Sequence, residues 1–304
     1  MVSFKAKYSI LKNESSFLSK HKHQKLVHYH VNNKYTDYTA ISNFQTKKLD
    51  EYLSWYKKHP VLKLNELKKY NIAEYKKIIS DKPSPTIISM EFNPIYTAGK
   101  KFMKSVTDPE KLSEPYKLFV PESGTLLDAN IEGFKDTNLM KPKFELINRG
   151  GKITYHGPGQ LVMYFIFDIK DFSNLDIKNY IFLLEKSLKS FTTSKELTCV
   201  NYNDEVGVFI QSKNDRKIKK LAAIGINLQK LITTHGISIN LSNNLDYLNK
   251  FEMCGLGDMR QSSIFNETGQ LISSESVAKE LVDRINFEFG NLPIEYKNVD
   301  ENEL

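Results

Sequence analysis

Two periods of apolar residues divide this chain. From Leu49 the positions Leu49, Tyr52, Leu53 and Tyr56 recur at helical spacing until His59-Pro60 interrupts them, which predicts an amphipathic helix, and a second, Lys-rich helical stretch is expected to follow. After Pro83 and Pro85 the pattern shifts to strands. Thr86 to Phe92 reads as one, Asn93-Pro94 turns it into Ile95 to Gly99, and Glu145 to Asn148, Leu161 to Ile169 and Val206 to Gln211 read as three more. Leu161 to Phe167 is apolar without a break, which predicts a central strand buried on both faces. Ile177, Tyr180, Ile181, Leu184 and Leu188 mark a helix face, and Val277, Leu281, Val282, Ile285 and Phe289 mark another, stopped by Gly290. Strands crowd the middle and helices flank them, so the expected class is α+β, with no internal repeat and no linker after residue 85.

Composition narrows this picture. With 40% hydrophobic and 26% charged residues over 304 positions, the chain has the balance of a globular protein, and no run of apolar residues is long enough to span a membrane. The formal charge of +7 suits acidic partners, but the excess is nearly all Lys and is equally a solvated surface, so no nucleic-acid partner is expected. Cys199 and Cys254 are too few for a disulfide framework and must be judged singly. Residues 1–40 carry Lys5, Lys7, Lys12, Lys20, Lys22 and Lys25 with few acids, which reads as a transit-like basic segment or a flexible basic tail. His21, His23, His28 and His30 fall in it, and no metal site is expected from them. The expected organisation is then a helical extension over 41–84, a catalytic domain over 85–295 and a tail over 296–304.

Three stretches carry chemistry. Arg149-Gly150-Gly151-Lys152-Ile153-Thr154-Tyr155-His156-Gly157-Pro158-Gly159-Gln160 packs four glycines, an Arg and a His between two strands. Such a segment brings backbone close to a ligand or closes a tight hairpin; it lacks the spacing of a phosphate-binding P-loop or a dinucleotide fingerprint. In Lys220-Leu221-Ala222-Ala223-Ile224-Gly225-Ile226 a cation leads into a small, apolar strand. A lysine held against apolar neighbours is desolvated and becomes a usable base, whereas one ending the run Lys217, Lys219, Lys220 would simply be solvated. His235-Gly236-Ile237-Ser238 follows, its histidine a base or a loop residue. Cys254, between Met253 and Gly255 in a polar loop, has the setting of a reactive thiol, while Cys199 inside Leu197-Thr198-Cys199-Val200 looks like a small buried hydrophobe.

Together these stretches resemble the lipoyl(octanoyl) transferase family, whose hallmark RGGxxTYHGPGQ is matched at every specified position from Arg149 to Gln160. The family's K-[IVL]-A-[AS]-[IL]-G strand is matched by Lys220 to Gly225, its HG turn by His235-Gly236, its Cys-Gly by Cys254-Gly255 and its P-V-Y-T-x-G by Pro94 to Gly99. Met253 stands where the family commonly has Pro, Ile237-Ser238 where it has Phe-Ala, and Gln261 to Ile264 fits its V-T-S-L loosely.

The resemblance implies a biotin/lipoate protein ligase-like domain with a mixed, mostly antiparallel sheet flanked by helices. It implies a Cys254 thioester formed from octanoyl-acyl-carrier protein with the help of Lys220, and transfer to a lysine of lipoyl domains, those of 2-oxoacid dehydrogenase E2 subunits and the glycine cleavage H protein. Arg149, Gly150, Gly151, Lys152, Ile153, Thr154, Tyr155 and His156 would line the acyl pocket with Ala223, Ile224, Gly225, His235, Gly236, Ile237 and Ser238. No cofactor is implied, and the basic leader would place the protein in the mitochondrial matrix. The rival readings are an ATP-dependent lipoate or biotin ligase, which activates a free acid as an adenylate, and a non-catalytic acyl-carrier-binding protein of the same fold.

Overall fold

A computed structural model describes residues 24–59, 77–105, 109–119, 141–203, 205–251 and 259–304. Its strands are β1 (Leu26–Val31), β2 (Thr86–Met90), β3 (Ile95–Ala98), β4 (Lys143–Leu146), β5 (Ile153–His156), β6 (Gln160–Ile166), β7 (Cys199–Val200), β8 (Val208–Gln211), β9 (Ile218–Gln229), β10 (Ile232–Asn240) and β11 (Ile294–Val299). Its helices are α1 (Tyr38–Lys58), α2 (Lys100–Ser105), α3 (Pro109–Leu118), α4 (Ile177–Ser194), α5 (Asp246–Asn249), α6 (Ile264–Thr268) and α7 (Ser274–Glu288). None of the helices among the described residues is long and apolar enough to cross a membrane.

An eight-stranded sheet runs in the order β11-β1-β2-β6-β10-β9-β8-β7 and a three-stranded sheet in the order β4-β3-β5. In the large sheet β1 is parallel to both β11 and β2, and every later neighbour is antiparallel. The architecture is the expected mixed, mostly antiparallel sheet with helices on its faces.

The unbroken apolar run of β6 has its explanation in the two layers that cover it. Leu161, Met163 and Phe165 face a core built with Tyr180, Leu184 and Leu188 of α4 and Val277, Leu281 and Ile285 of α7. Val162, Tyr164 and Ile166 face Ile41, Phe44 and Tyr52 of α1. Period-two alternation therefore sends alternate residues into different cores, and both cores need apolar side chains. Asp176 and Ser273 cap α4 and α7, and Gly290, at φ +100, ends the last turn of α7 in the conformation that favours glycine.

The sheet extends beyond the expected boundaries at both ends. Residues 26–31, within the stretch read as a basic segment, form β1, and residues 294–299, read largely as tail, form β11 beside it. The alternation in Leu26-Val27-His28-Tyr29-His30-Val31 is masked because two inward positions are histidines, both bonded to Ser89 of β2. α1 starts at Tyr38, well before the periodicity at Leu49, since Gln45 sits among the buried residues of its first half and blurs the apolar signal. Residues 1–23, with His21 and His23, and most of the second Lys-rich stretch lie outside the described residues.

A buried ion cluster fastens α1 and the segment that leads into β2 to the stretch that follows β6. Lys82 Nζ pairs with Asp168 Oδ2 at 2.7 Å and with Asp171 Oδ1, Tyr56 of α1 donates to Asp168, and the ammonium lies 5.0 Å from the Trp55 ring centroid.

Candidate active site

The segment Arg149–Gln160 is less a loop than a turn, a strand and a second turn. Gly99 N–H donates to Lys152 O, Lys100 N–H to Arg149 O and Lys101 N–H to Gly151 O, each at 3.0 Å, so the loop carbonyls accept from the start of α2. A Cβ on Gly99 would come within 2.7 Å of Gly151 O and 2.8 Å of Arg149 O, which is why glycine stands there. Arg149 spends its guanidinium on this turn: Nη2 donates to Thr97 O at 2.8 Å and Nη1 to Gly150 O at 2.9 Å. Gly150 N–H reaches Ile226 O at 3.1 Å and ties the turn to β9.

Beyond the turn, β5 pairs with β3 and alternates. Thr154 and His156 face a cavity, whereas Ile153 and Tyr155 face an aromatic cluster in which Tyr155 stacks on Tyr247 with centroids 4.6 Å apart. The expectation that Ile153 and Tyr155 belong to the pocket is thereby corrected: a run of contiguous residues on a strand cannot all share one face. These two instead support the strand from behind.

The opposite wall is made by β9 and β10. Lys220 lies within β9 at 4% exposure, so the solvated reading of this lysine does not hold. Its Nζ is 5.4 Å from the Phe209 ring centroid, and among the described residues no carboxylate is within ion-pair distance of it. On β10, His235 has φ +61, a conformation that costs a non-glycine residue about 1 kcal/mol or more. Its N–H leaves the ladder and donates to Gln45 Oε1 of α1 at 2.7 Å, and its Nδ1 is buried without a partner among the described residues. At Gly236 a Cβ would run into Met163 O and the Phe165 ring, so only glycine lets β10 lie this close to β6.

Between these walls is a cavity of about 640 Å³, within the size range of small-ligand sites. Arg149, Gly150, Gly151, Lys152, Thr154, His156, Lys220, Ala223, Ile224, Gly225, His235, Gly236, Ile237 and Ser238 line it, as do Lys101, Tyr164, Ile181, Glu205, Val206 and Ile226, which sequence reasoning missed. Burial holds His156 down at about 4, helped by Arg149 and opposed by its bond to Gln160; burial, Arg149 and His156 hold His235 at about 3. Both imidazoles are neutral at physiological pH. The cavity thus joins an apolar slot to one buried ammonium and two neutral rings.

Cys254 lies outside the described residues, but the chain on either side of it is anchored. Asn249 Oδ1 accepts from Gln261 N–H at 2.8 Å and its Nδ2 donates to Gln261 O at 3.3 Å, closing the base of the segment between them. Gln261 in turn bridges Lys220: Lys220 N–H donates to Arg260 O at 3.0 Å, and Ser262 N–H to Lys220 O at 2.9 Å. Asn249 had no distinguishing signal in the sequence. Cys199 sits on edge strand β7, half-buried, its thiol pushed up by burial. It is not among the cavity-lining residues and packs, partly buried, against the core under the sheet.

The family model "Lipoyl protein ligase A/B catalytic domain" matches residues 139–286. The chain is 32% identical over 237 residues to the mitochondrial octanoyltransferase of Saccharomyces cerevisiae, covering 74% of this chain and 66% of that protein. It is 35% identical over 189 residues to the mitochondrial octanoyltransferase of Kluyveromyces lactis, covering 60% and 52%. With an octanoyltransferase of Parabacteroides distasonis the identity is 33% over 165 residues, covering 51% of this chain and 74% of the relative. The chain therefore spans roughly half to two thirds of the two yeast proteins' length. In shape it resembles a bi-partite lipoate protein ligase of Thermoplasma acidophilum, with TM-score 0.50, 12% identity, and coverage of 93% of this chain and 90% of that one.

Proposed function

The chain belongs to the lipoyl(octanoyl) transferase family, and from that premise we propose that it moves an octanoyl group from octanoyl-acyl-carrier protein to a lysine of lipoyl domains through a thioester on Cys254. In the first step the Cys254 thiolate attacks the donor thioester, the carbon–sulfur bond of the donor breaks, and the carrier's sulfur takes a proton from the Lys220 ammonium and leaves as the thiol, so that Lys220 is neutral when the second step begins. An ordinary thiol is only about 3% ionised at pH 7, so a cation beside it raises the reactive fraction. In the second step the acceptor amine attacks the acyl-enzyme, the carbon–sulfur bond breaks, and Lys220 takes the amine proton. The donor thioester already carries the activation, and no ATP enters.

The observation that carries this reading is Lys220: a buried ammonium on the cavity wall, without a carboxylate partner among the described residues, in register with the backbone that follows the Cys254 segment. Desolvating such a charge is costly, and a base that must act in the cavity gives the cost a use. The apolar part of the cavity suits the acyl tail. Six methylenes at about 0.8 kcal/mol each give about 5 kcal/mol on full burial, and a chain two carbons shorter would lose about 1.6 kcal/mol, or roughly fifteenfold in affinity. The acceptors expected are 2-oxoacid dehydrogenase E2 subunits and the glycine cleavage H protein. The mitochondrial names of the two yeast relatives support a mitochondrial location, and the matrix is the compartment proposed within it.

The test is transfer from octanoyl-carrier protein to a lipoyl domain without ATP, followed by intact mass of the acceptor. A gain of one octanoyl group is expected. Turnover that instead required free octanoate and ATP would replace this reading with that of a ligase.

A further inference from the structure

The cavity holds a histidine whose tautomer is dictated from outside the site. His156 Nδ1 lies 2.7 Å from Gln160 Oε1, Gln160 Nε2 lies 2.8 Å from Asn240 Oδ1, and Asn240 Nδ2 lies 2.9 Å from the backbone oxygen of Ser262. The middle link follows from sheet register, because Gln160 and Asn240 stand directly opposite each other on β6 and β10. All three side chains are buried.

The chain of bonds has a direction, and its far end fixes it. A backbone carbonyl can only accept, so Asn240 must turn its NH₂ to Ser262 O and its Oδ1 to Gln160. Gln160 must then present NH₂ to Asn240 and Oε1 to His156. Facing that oxygen, Nδ1 must carry the proton, and in a neutral imidazole the other nitrogen, Nε2, is left with a lone pair. Among the described residues Nε2 has no protein partner, and His156 lines the cavity. Arg149 is the group whose positive charge opposes protonation of the ring, and His235, held at about 3, stays neutral over the same range.

We propose that Gln160 and Asn240 are positioning residues that lock His156 in its Nδ1–H form, so that Nε2 offers a hydrogen-bond acceptor to the amine that enters the cavity. This rests on the octanoyl-transfer reading: of the substrate groups present in its second step, the acyl chain and its carbonyl have no donor to give, whereas the attacking amine does. The ring orients and does not take the proton. In the step itself the amine nitrogen bonds to the acyl carbon, the bond from that carbon to Cys254 sulfur breaks with its electron pair on sulfur, and the amine proton passes to Lys220. Because His156 stays neutral down to about pH 4, it serves as acceptor over the whole working range.

Two measurements test this. The first is a long-range proton–nitrogen spectrum of the imidazole rings in the ¹⁵N-labelled wild-type protein, with His156 assigned by its loss in His156→Asn. A protonated Nδ1 and bare Nε2, unchanged between pH 8 and pH 5, are expected; a ring protonated on Nε2 overturns the lock. The second separates the half-reactions. In Gln160→Leu, loading from octanoyl-carrier protein should stay near the wild-type rate, while transfer from the preloaded enzyme to a lipoyl domain falls roughly tenfold, the worth of one hydrogen bond. Gln160→Glu keeps an acceptor for Nδ1–H but sets a carboxylate against the ring. It should restore much of the transfer and add a pH-dependent limb below neutrality, absent from the wild type, as His156 begins to protonate. An equal fall in both half-reactions of Gln160→Leu, or no new limb in Gln160→Glu, contradicts the positioning role. Absence of any acyl-enzyme in the wild type would remove the octanoyl reading and the amine's place with it, while the ring spectrum still decides the lock.

Discussion

Lys82 and Lys220 are two buried lysines of this chain, 7% and 4% exposed, with opposite surroundings. Lys82 is paired with Asp168 and Asp171 and lies near Trp55 and Tyr56, all of its charge answered inside the protein. Lys220 has an aromatic face at 5.4 Å, Gly207 close to its Cε, a cavity before it, and no ion-pair partner among the described residues. The first arrangement holds elements together; the second keeps a charge available for a ligand. Burial alone does not separate a structural lysine from a reactive one. The partner list does.

The comparison breaks most readily at Lys220. Lys220→Met should lower transfer by about 10²- to 10⁴-fold, the usual worth of a proton-transfer group, while leaving the urea midpoint unchanged or higher. Lys220→Arg keeps the charge but cannot give up a proton, so transfer should stay low. Activity in Lys220→Met within a few fold of wild type would remove this residue from the chemistry. Lys82→Met should do the reverse. It strands Asp168 and Asp171 in the interior and should cost about 3–5 kcal/mol in urea unfolding, with transfer per folded molecule unchanged. Replacing Asp168 and Asp171 by Asn in the same variant should recover part of that loss.

Histidines sharpen the same contrast. His28 of β1, bonded to Ser89 of β2, is held at about 3, first by burial and then by His30, while His156 is held at about 4 on the cavity wall. An unfolded histidine titrates near 6.5, so between that value and the folded one the unfolded chain binds more protons. Stability is therefore full above about pH 6.5 and falls as the pH drops toward 4, by about 3 kcal/mol for a ring with a folded value near 4. His28→Gln should flatten part of that slope without touching transfer, and His156→Gln should flatten it and slow transfer. Urea midpoints at pH 7.5 and 4.5 read the difference. The smallest effect belongs to Cys199→Ser on edge strand β7, where transfer and acyl-enzyme yield should match the wild type; a loss there would move the nucleophile away from Cys254.

How much of this was legible in the sequence depends on how local the cause is. Gly99, Arg149, Gly150 and Gly151 could be read because close backbone approach leaves no other residue at Gly99 and the turn is built from neighbours in the chain. β6 could be read because both its faces are apolar. β1 could not, since its pairing with β2 and β11 spans most of the chain and His28 and His30 occupy inward positions. The dual fate of β5, with His156 on the cavity and Tyr155 behind it, needed the strand to be known before its faces could be assigned. Gln45, Asn240 and Asn249 gave no signal at all, because an amide earns its place only through partners far away in sequence: His235, Gln160 and Gln261. Lys220 was the intermediate case, ambiguous at the end of a lysine run until its burial was seen.

The most direct test of the central claim is the intact mass of the purified protein after incubation with octanoyl-carrier protein, without ATP and without acceptor. One octanoyl adduct is expected, mapped to Cys254 by peptide mass, present in Cys199→Ser, absent in Cys254→Ala and discharged on adding a lipoyl domain. An adduct that persists in Cys254→Ala, or none in the wild type while transfer still proceeds, would contradict it.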